Sequence, residues 1–404
     1  MKIVLLSGGS GERLWPLSNT TMSKQFLKVL DNNESMLQRI FRQICLHFSM
    51  NDIYVSAPKE QVELILTQIP INDDHIIIEP SRKGTYASIR LASAYLRECD
   101  NICVIPVDSY VNDDFFSILK QIPHNDKISL IGIKPTCPSE EYGYIVPNGK
   151  EFTFKEKPDQ QLAEKYISEG ALWNAGIFCF NPKLFQDEYL DIINNYEYLE
   201  KNSFDCAVLE KQHDFNVIEY SGLWKDIGTW NTFFEEMYVD SKNVAVNNCF
   251  NTHVINCTDK FTIVSGINDS VVAITNDGVL VSSKEDTKDI KQFVPHNRPF
   301  YEKKRWGEYR IIRKADNYLV KELSLLPNNE ISYQSHNHRK ESWTIVDGDG
   351  TMIIDDKKYL INVGDVVNIA ENQKHKMIAG ENGLKIIEVQ IGSILEESDI
   401  KRYN

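Results

Sequence analysis

Ile3-Val4-Leu5-Leu6-Ser7-Gly8-Gly9-Ser10-Gly11-Glu12-Arg13 decides how the first half of this chain is read. Four apolar residues make a short strand, which leaves through three glycines and a cation. Glycine admits positive φ and lets backbone N–H groups converge on an anion, and Arg13 adds a charge-assisted contact. A tight turn would read the same on this stretch alone. The spacing matches neither the GxGxxG dinucleotide fingerprint nor the GxxxxGK[ST] phosphate loop, so neither site is predicted.

Working outward, β-branched runs alternate with amphipathic stretches to about Glu235: strands at Ile53, His75, Ile102 and Ile128, with helices near Ser35–Phe48, Lys59–Gln68 and Thr85–Arg97. Such alternation predicts an α/β domain, Rossmann-like, with a mixed, mostly parallel sheet covered on both faces. From about Asn243 to Ser283 short strands follow one another without helix, punctuated by turn residues. That texture predicts a few coils of a β-helix or a small sheet. From about Asn297 the strands lengthen and alternate, as in Tyr318–Leu326, which predicts an antiparallel barrel or sandwich. The expected domains are 1–240, a short left-handed β-helix-like spacer at 241–295, and 296–404.

The formal net charge of −14 argues against nucleic-acid and membrane-surface partners, which are met by clustered Lys and Arg. No apolar run approaches the ~20 residues of a membrane span. Eight cysteines are scattered without a CxxC pair and read as reduced packing residues. A cytoplasmic protein is expected, and a homo-oligomer, with the small β segment and the barrel as assembly surfaces.

The glycine stretch continues into Leu14-Trp15-Pro16-Leu17-Ser18 and then Ser23-Lys24-Gln25-Phe26-Leu27. Here the chain resembles the mannose-1-phosphate guanylyltransferases, departing at Ser23, where that family commonly has Pro. The resemblance runs on through Glu79-Pro80-Ser81-Arg82-Lys83-Gly84-Thr85, Pro106-Val107-Asp108, Tyr142-Gly143-Tyr144-Ile145, Phe154-Lys155-Glu156-Lys157-Pro158, Trp173-Asn174-Ala175-Gly176 and Trp224-Lys225-Asp226-Ile227-Gly228. It implies a nucleotidyltransferase joining a nucleoside triphosphate, GTP in the family, to a sugar 1-phosphate. Asp108 and Asp226 are then the Mg²⁺ ligands, although either alone reads equally as a turn or helix cap. Arg13 is implied to face the departing pyrophosphate, Lys24 a phosphate near the reacting centre and Lys157 the sugar phosphate. Leu6, Gly8, Gly9, Gly11, Glu79 and Thr85 are implied to line the nucleotide, and Gly143, Glu156 and Asn174 the sugar. Gly84 and Ala87-Ser88 depart from the family pattern near its base pocket, so guanine over other bases and mannose over a heptose or another hexose are implied by the resemblance alone, with another sugar 1-phosphate as the alternative.

A second constellation is Tyr333-Gln334-Ser335-His336-Asn337-His338-Arg339-Lys340-Glu341. In a regular strand the side chains at 334, 336 and 338 share one face. Gln334, His336 and His338 are therefore expected to converge, with Glu341 following and His375 on a neighbouring strand. Three imidazoles and a carboxylate suit a divalent transition metal such as Zn²⁺, Mn²⁺ or Co²⁺. The arrangement resembles the cupin motifs, and in detail the mannose-6-phosphate isomerase domain fused to these guanylyltransferases. Trp306-Gly307-Glu308-Tyr309 and Glu388-Val389-Gln390-Ile391-Gly392 extend that match, while Ala370 and Asn372 depart from it. Either an active isomerase or a non-catalytic sugar-binding or assembly module is compatible with these residues.

Overall fold

The computed structural model describes every residue except Ser10, Thr20, Asp31, His124, Tyr238, Asp240, His296, Asn297, Arg298 and Asn404. The expected boundaries at 240 and 296, and position 10 of the glycine loop, lie outside the described residues.

The strand Lys2–Leu6 sits inside the main sheet, between Ile102–Pro106 and Ile53–Pro58, with Ile76–Glu79 beyond the latter, all parallel. Ile3, Val4, Leu5 and Ile102 to Ile105 are fully buried, as near-continuous apolar runs in a sheet covered on both faces must be. On the other side Leu172–Phe180 runs antiparallel to both Ile102–Pro106 and Ser129–Ile133, and Asn216–Tyr220 closes the edge. Leu172–Phe180 runs against these parallel neighbours, and the antiparallel hairpin of Tyr144–Asn148 and Glu151–Lys155 joins beside it, so the sheet is mixed. Ala87, Ile89, Leu91 and Ala92 of the helix Thr85–Tyr95 pack in one core with Val4, Ile77 and Val104. The helix Met36–Cys45 starts at a capping box, Ser35 accepting from the Gln38 N–H while the Gln38 side chain accepts from the Ser35 N–H.

In the next segment Val244–Asn247 lies parallel to Thr262–Ser265, and His253–Asn256 to Ser270–Ile274. Each strand thus meets the one 18 residues further on: Val244 faces Thr262 and His253 faces Val271. Its interior residues Ile255, Val271, Ala273 and Leu280 share a core with Leu14, Trp230 and Phe233. By packing, Met1–Ile274 with Leu280–Val294 form one unit, and Thr275–Val279 with Pro295–Asn404 form the other.

The second unit is antiparallel. Its long strands Arg339–Ile354 and His375–Gly392 pair along most of their length, interrupted where Ile345 gives way to Asp347 and Gly348 to Gly350. Tyr318–Leu325 alternates half-buried and buried residues without a break. Trp343, Ile345, Met352, Met377 and Ile386 fill the interior, as the alternating pattern requires.

Candidate active site and metal centre

Parallel strands deliver their C-terminal ends to one edge of the first unit, where ligands of α/β sheets are commonly held. The glycine loop leaves Leu6 at that edge. Gly11 has φ +67°, and a Cβ there would lie 2.7 Å from the Lys24 backbone nitrogen, so only glycine fits. A Cβ at Gly9 would meet nothing within 4 Å, which leaves that side of the loop open. Beneath it the buried Glu79 accepts from Ser56 Oγ at 2.9 Å, and a Cβ at Gly8 would lie 3.4 Å from Glu79 Oε1. Burial, partly offset by hydroxyls of Ser88 and Ser56, raises the Glu79 carboxyl above its ordinary range.

Lys24 crosses to the acidic pair. Its Nζ lies 2.8 Å from Asp108 Oδ2 and donates to the Ile227 carbonyl at 2.9 Å. Asp108 leaves the strand Ile102–Pro106, Asp226 ends Trp224–Asp226, and the Ile227 N–H donates to the Asp108 carbonyl at 3.1 Å. Burial opposes the charge on Asp108, yet the Lys24 ammonium holds its carboxyl low. Burial and then the Asp108 charge push Asp226 up to about 6. The Asp108 charge thus repels that of Asp226, and a divalent cation held by both would relieve it. Arg13 reaches the same place: a Cβ on Gly228 would lie 2.9 Å from Asp226 Oδ2 and 3.5 Å from an Arg13 guanidinium nitrogen.

A second group of residues adjoins this pair. The Asn174 N–H donates to the Gly143 carbonyl at 2.8 Å, and a Cβ on Gly143 would sit 2.9 Å from Glu156 Oε2. Burial raises Glu156, with the Lys157 ammonium, 3.7 Å away, working against it. Lys157 has φ +41°, an uncommon backbone state for a side-chain-bearing residue and one that concentrates at functional sites. Asn174 Nδ2 donates to Asp205 Oδ1 at 2.8 Å, and burial, then Glu156, raises Asp205 to about 7. Thr85 opens the helix Thr85–Tyr95, and its Oγ1 accepts from the Phe204 N–H at 2.9 Å.

In the second unit His336, Glu341 and His375 are buried, with one ligand atom from each lying within 4.8 Å of the others. Burial, then the Arg339 guanidinium and His375, lowers His336 to about 3; burial also lowers His375. Both are neutral at pH 7, the state a metal ligand needs. His375 Nε2 and His336 Nδ1 have no hydrogen-bond partner. Two neutral imidazoles and a buried carboxylate fit a divalent transition metal. Arg339 shares the space: its Nε donates to Glu341 Oε1 at 2.9 Å. Gln390 Nε2 donates to Glu341 Oε1 at 3.0 Å and to Glu388 Oε1 at 2.6 Å, and Trp343 Nε1 donates to Glu341 Oε2 at 3.1 Å.

Residues 2–243 match the nucleotidyl transferase family model. The chain belongs to the nucleotidyl transferase family. Residues 289–404 match a second model, mannose-6-phosphate isomerase C-terminal. A mannose-1-phosphate guanylyltransferase of Klebsiella pneumoniae is 28% identical over 463 aligned positions, covering 99% of this chain and 98% of that one. The alginate biosynthesis protein AlgA of Pseudomonas aeruginosa is 27% identical, covering 99% and 95%. A crystal structure described as mannose-1-phosphate geranyltransferase from Thermus thermophilus superposes with a TM-score of 0.60 at 25% identity, covering 72% of this chain and 98% of that one. Among the described residues no helix is long and apolar enough to cross a membrane.

This nucleotidyl transferase places the expected residues in three groups: Leu6, Gly8, Gly9, Gly11 and Glu79 around the loop; Arg13, Lys24, Asp108 and Asp226 together; and Gly143, Glu156, Lys157 and Asn174 together. The barrel corrects one expectation. His338 is exposed and stands outside the His336–Glu341–His375 cluster. The strand Gln334–His336 stops, and the N–H groups of Asn337 and His338 turn to the Asp399 carboxylate at 3.1 and 3.2 Å. That break in alternation sends Arg339 inward instead. Gln334 is half-buried opposite His375 in register, with its Oε1 accepting from Ser332. Asp205 carried no motif in the sequence and only the fold brings it to Asn174.

Proposed function

We propose that this chain is a mannose-1-phosphate guanylyltransferase: an oxygen of mannose 1-phosphate attacks the α-phosphorus of GTP, giving GDP-mannose and pyrophosphate. The observation that carries the reading is the carboxylate pair Asp108 and Asp226, the first paired with Lys24 and the second reached by Arg13. Mg²⁺ held by the two carboxylates would offset the charge that builds on the phosphates. Arg13 takes the β- and γ-phosphates, and Lys24 is aimed at phosphate near the reacting centre. Lys157 takes the sugar phosphate, while Gly143, Glu156 and Asn174 count sugar hydroxyls. Leu6, Gly8, Gly9, Gly11, Glu79 and Thr85 line the nucleotide. No covalent enzyme intermediate is required.

The buried His336–Glu341–His375 cluster supports a second activity, interconversion of mannose 6-phosphate and fructose 6-phosphate by moving a proton between C2 and C1. A divalent transition metal such as Zn²⁺, Mn²⁺ or Co²⁺ held there would polarise the sugar oxygens. The chain works in the cytoplasm as a homo-oligomer on soluble phosphorylated substrates, without nucleic acid or membrane.

Purified protein with Mg²⁺ is assayed for pyrophosphate release with four nucleoside triphosphates against mannose, glucose, fucose and heptose 1-phosphates. Release confined to GTP with mannose 1-phosphate is the expected result. Release with a different pair overturns the substrate assignment, and none with any pair overturns the activity.

A further inference from the structure

One short segment holds both halves of the proposed active site. The Asn202 N–H donates to the Lys83 carbonyl at 3.2 Å, and its carbonyl accepts from the Tyr86 N–H at 3.3 Å. The Phe204 N–H reaches Thr85 Oγ1 at 2.9 Å, and Asp205 Oδ1 accepts from Asn174 Nδ2 at 2.8 Å. Further on, Glu210 Oε1 accepts from the Glu156 N–H at 3.4 Å.

The Asp205 contact differs from the others because it acts on a side chain proposed to touch the sugar. A primary amide presents an oxygen on one side and an NH₂ on the other, and the two have similar shape. Asn174 is fixed at both ends: Oδ1 accepts from the Gly176 N–H at 3.1 Å, and Nδ2 donates to Asp205. Turned by 180°, the amide would set NH₂ against the Gly176 N–H and oxygen against the Asp205 carboxylate, exchanging two hydrogen bonds for two repulsions while Asp205 is ionised. One N–H and one oxygen lone pair then remain, in set directions, for a ligand. Asn174 is buried, so an unmatched hydroxyl beside it would leave a polar group without a partner. Ionised Asp205 can only accept, which sets the Asn174 NH₂ toward it; protonated, with its carboxyl raised to about 7, it gains a donor and leaves the Gly176 N–H alone to hold the amide.

We infer that Asp205 is a positioning residue for sugar selectivity, locking the Asn174 amide in the one orientation that matches a given hydroxyl configuration. The inference rests on the reading of Glu156 and Asn174 as the sugar subsite. Neither residue's own sequence motif contains Asp205, which comes from the helical turn Phe204–Ala207.

The test is kcat/KM for mannose 1-phosphate relative to its C2, C3 and C4 epimers, glucose, altrose and talose 1-phosphates, in wild type, D205A and D205N. A ratio of two substrates on one enzyme divides out the folded fraction, so partial unfolding of D205A does not disturb it. Asn at 205 still offers an oxygen to Asn174, whereas Ala offers none. At least one ratio is expected to fall about tenfold in D205A and to return to within about threefold of wild type in D205N, the scale on which an unmatched hydrogen bond discriminates. Ratios unchanged in D205A overturn the inference while leaving the guanylyltransferase reading intact. An equal fall in D205A and D205N overturns it too, by assigning the effect to charge. A wild type inactive on every sugar phosphate overturns both.

Discussion

Lys24 Nζ stands 2.8 Å from Asp108 Oδ2, so a cation from the loop that follows the glycines already neutralises one of the two acidic residues at the end of the sheet. The pair divides the labour between the carboxylates. Asp108 is held ionised, while Asp226 bears the cost of burial and of its neighbour's charge.

Asp108→Asn removes one carboxylate without changing shape. Pyrophosphate release is expected to fall on the order of 10³-fold, comparable to losing a transition-state charge partner in phosphoryl transfer. Any isomerase rate should be untouched, and His336→Ala should give the reverse pattern. Steady-state rates of both reactions on both variants decide the matter; a joint loss in either one would falsify the two-site model.

Gly143→Ala directs a methyl group into the Phe154 ring and to 2.9 Å from Glu156 Oε2. KM for the sugar phosphate is expected to rise about tenfold or more, with KM for the nucleotide nearly unchanged, since displaced hydroxyl-binding groups of this kind discriminate strongly. Equal changes in both constants would mean that the residue is merely structural.

Metal content separates the histidines. After chelation and reloading with Zn²⁺, H336A and H375A should lose the barrel ion, measured by elemental analysis, whereas H338A should keep it because that side chain faces solvent. Loss in H338A would restore the strand-alternation expectation.

Protons should destabilise the metal-free barrel. Burial, with Arg339 close by, holds His336 near 3 in the fold, against about 6.5 when unfolded. Between these values the unfolded chain binds a proton that the folded chain refuses, so the stability is complete above about 6.5 and is lost as pH falls toward 3. Calorimetry of chelated wild type and H336Q at pH 7.5 and 5 should show the wild type losing more of its barrel transition on acidification. Equal losses would mean that His336 is not the group responsible.

Much of the architecture was legible because apolar periodicity is a local property. Ile3 to Leu6 and Ile102 to Ile105 could be buried strands only in a sheet covered on both faces, and the structure sets them side by side. The motif residues were legible by resemblance, and the fold gathers Arg13 and Lys24, Asp108, and Asp226 from three distant places in the chain. His338 was misplaced because strand parity assumes an unbroken ladder. Asp399, some sixty residues away, supplies the acceptors that break it, and no local pattern announces such a partner. Asp205 escaped for the same reason: its meaning lies in a hydrogen bond to Asn174 across 31 residues of chain.

The parallel coils between Val244 and Ile274 keep a step of 18 residues, Val244 to Thr262 and His253 to Val271. A single residue added within a strand would turn every later inward side chain outward and misalign its neighbour above, whereas a whole coil would leave the stack in phase. Growth of this segment over evolutionary time is therefore quantised: its strands tolerate whole turns, and stray insertions are confined to the corners.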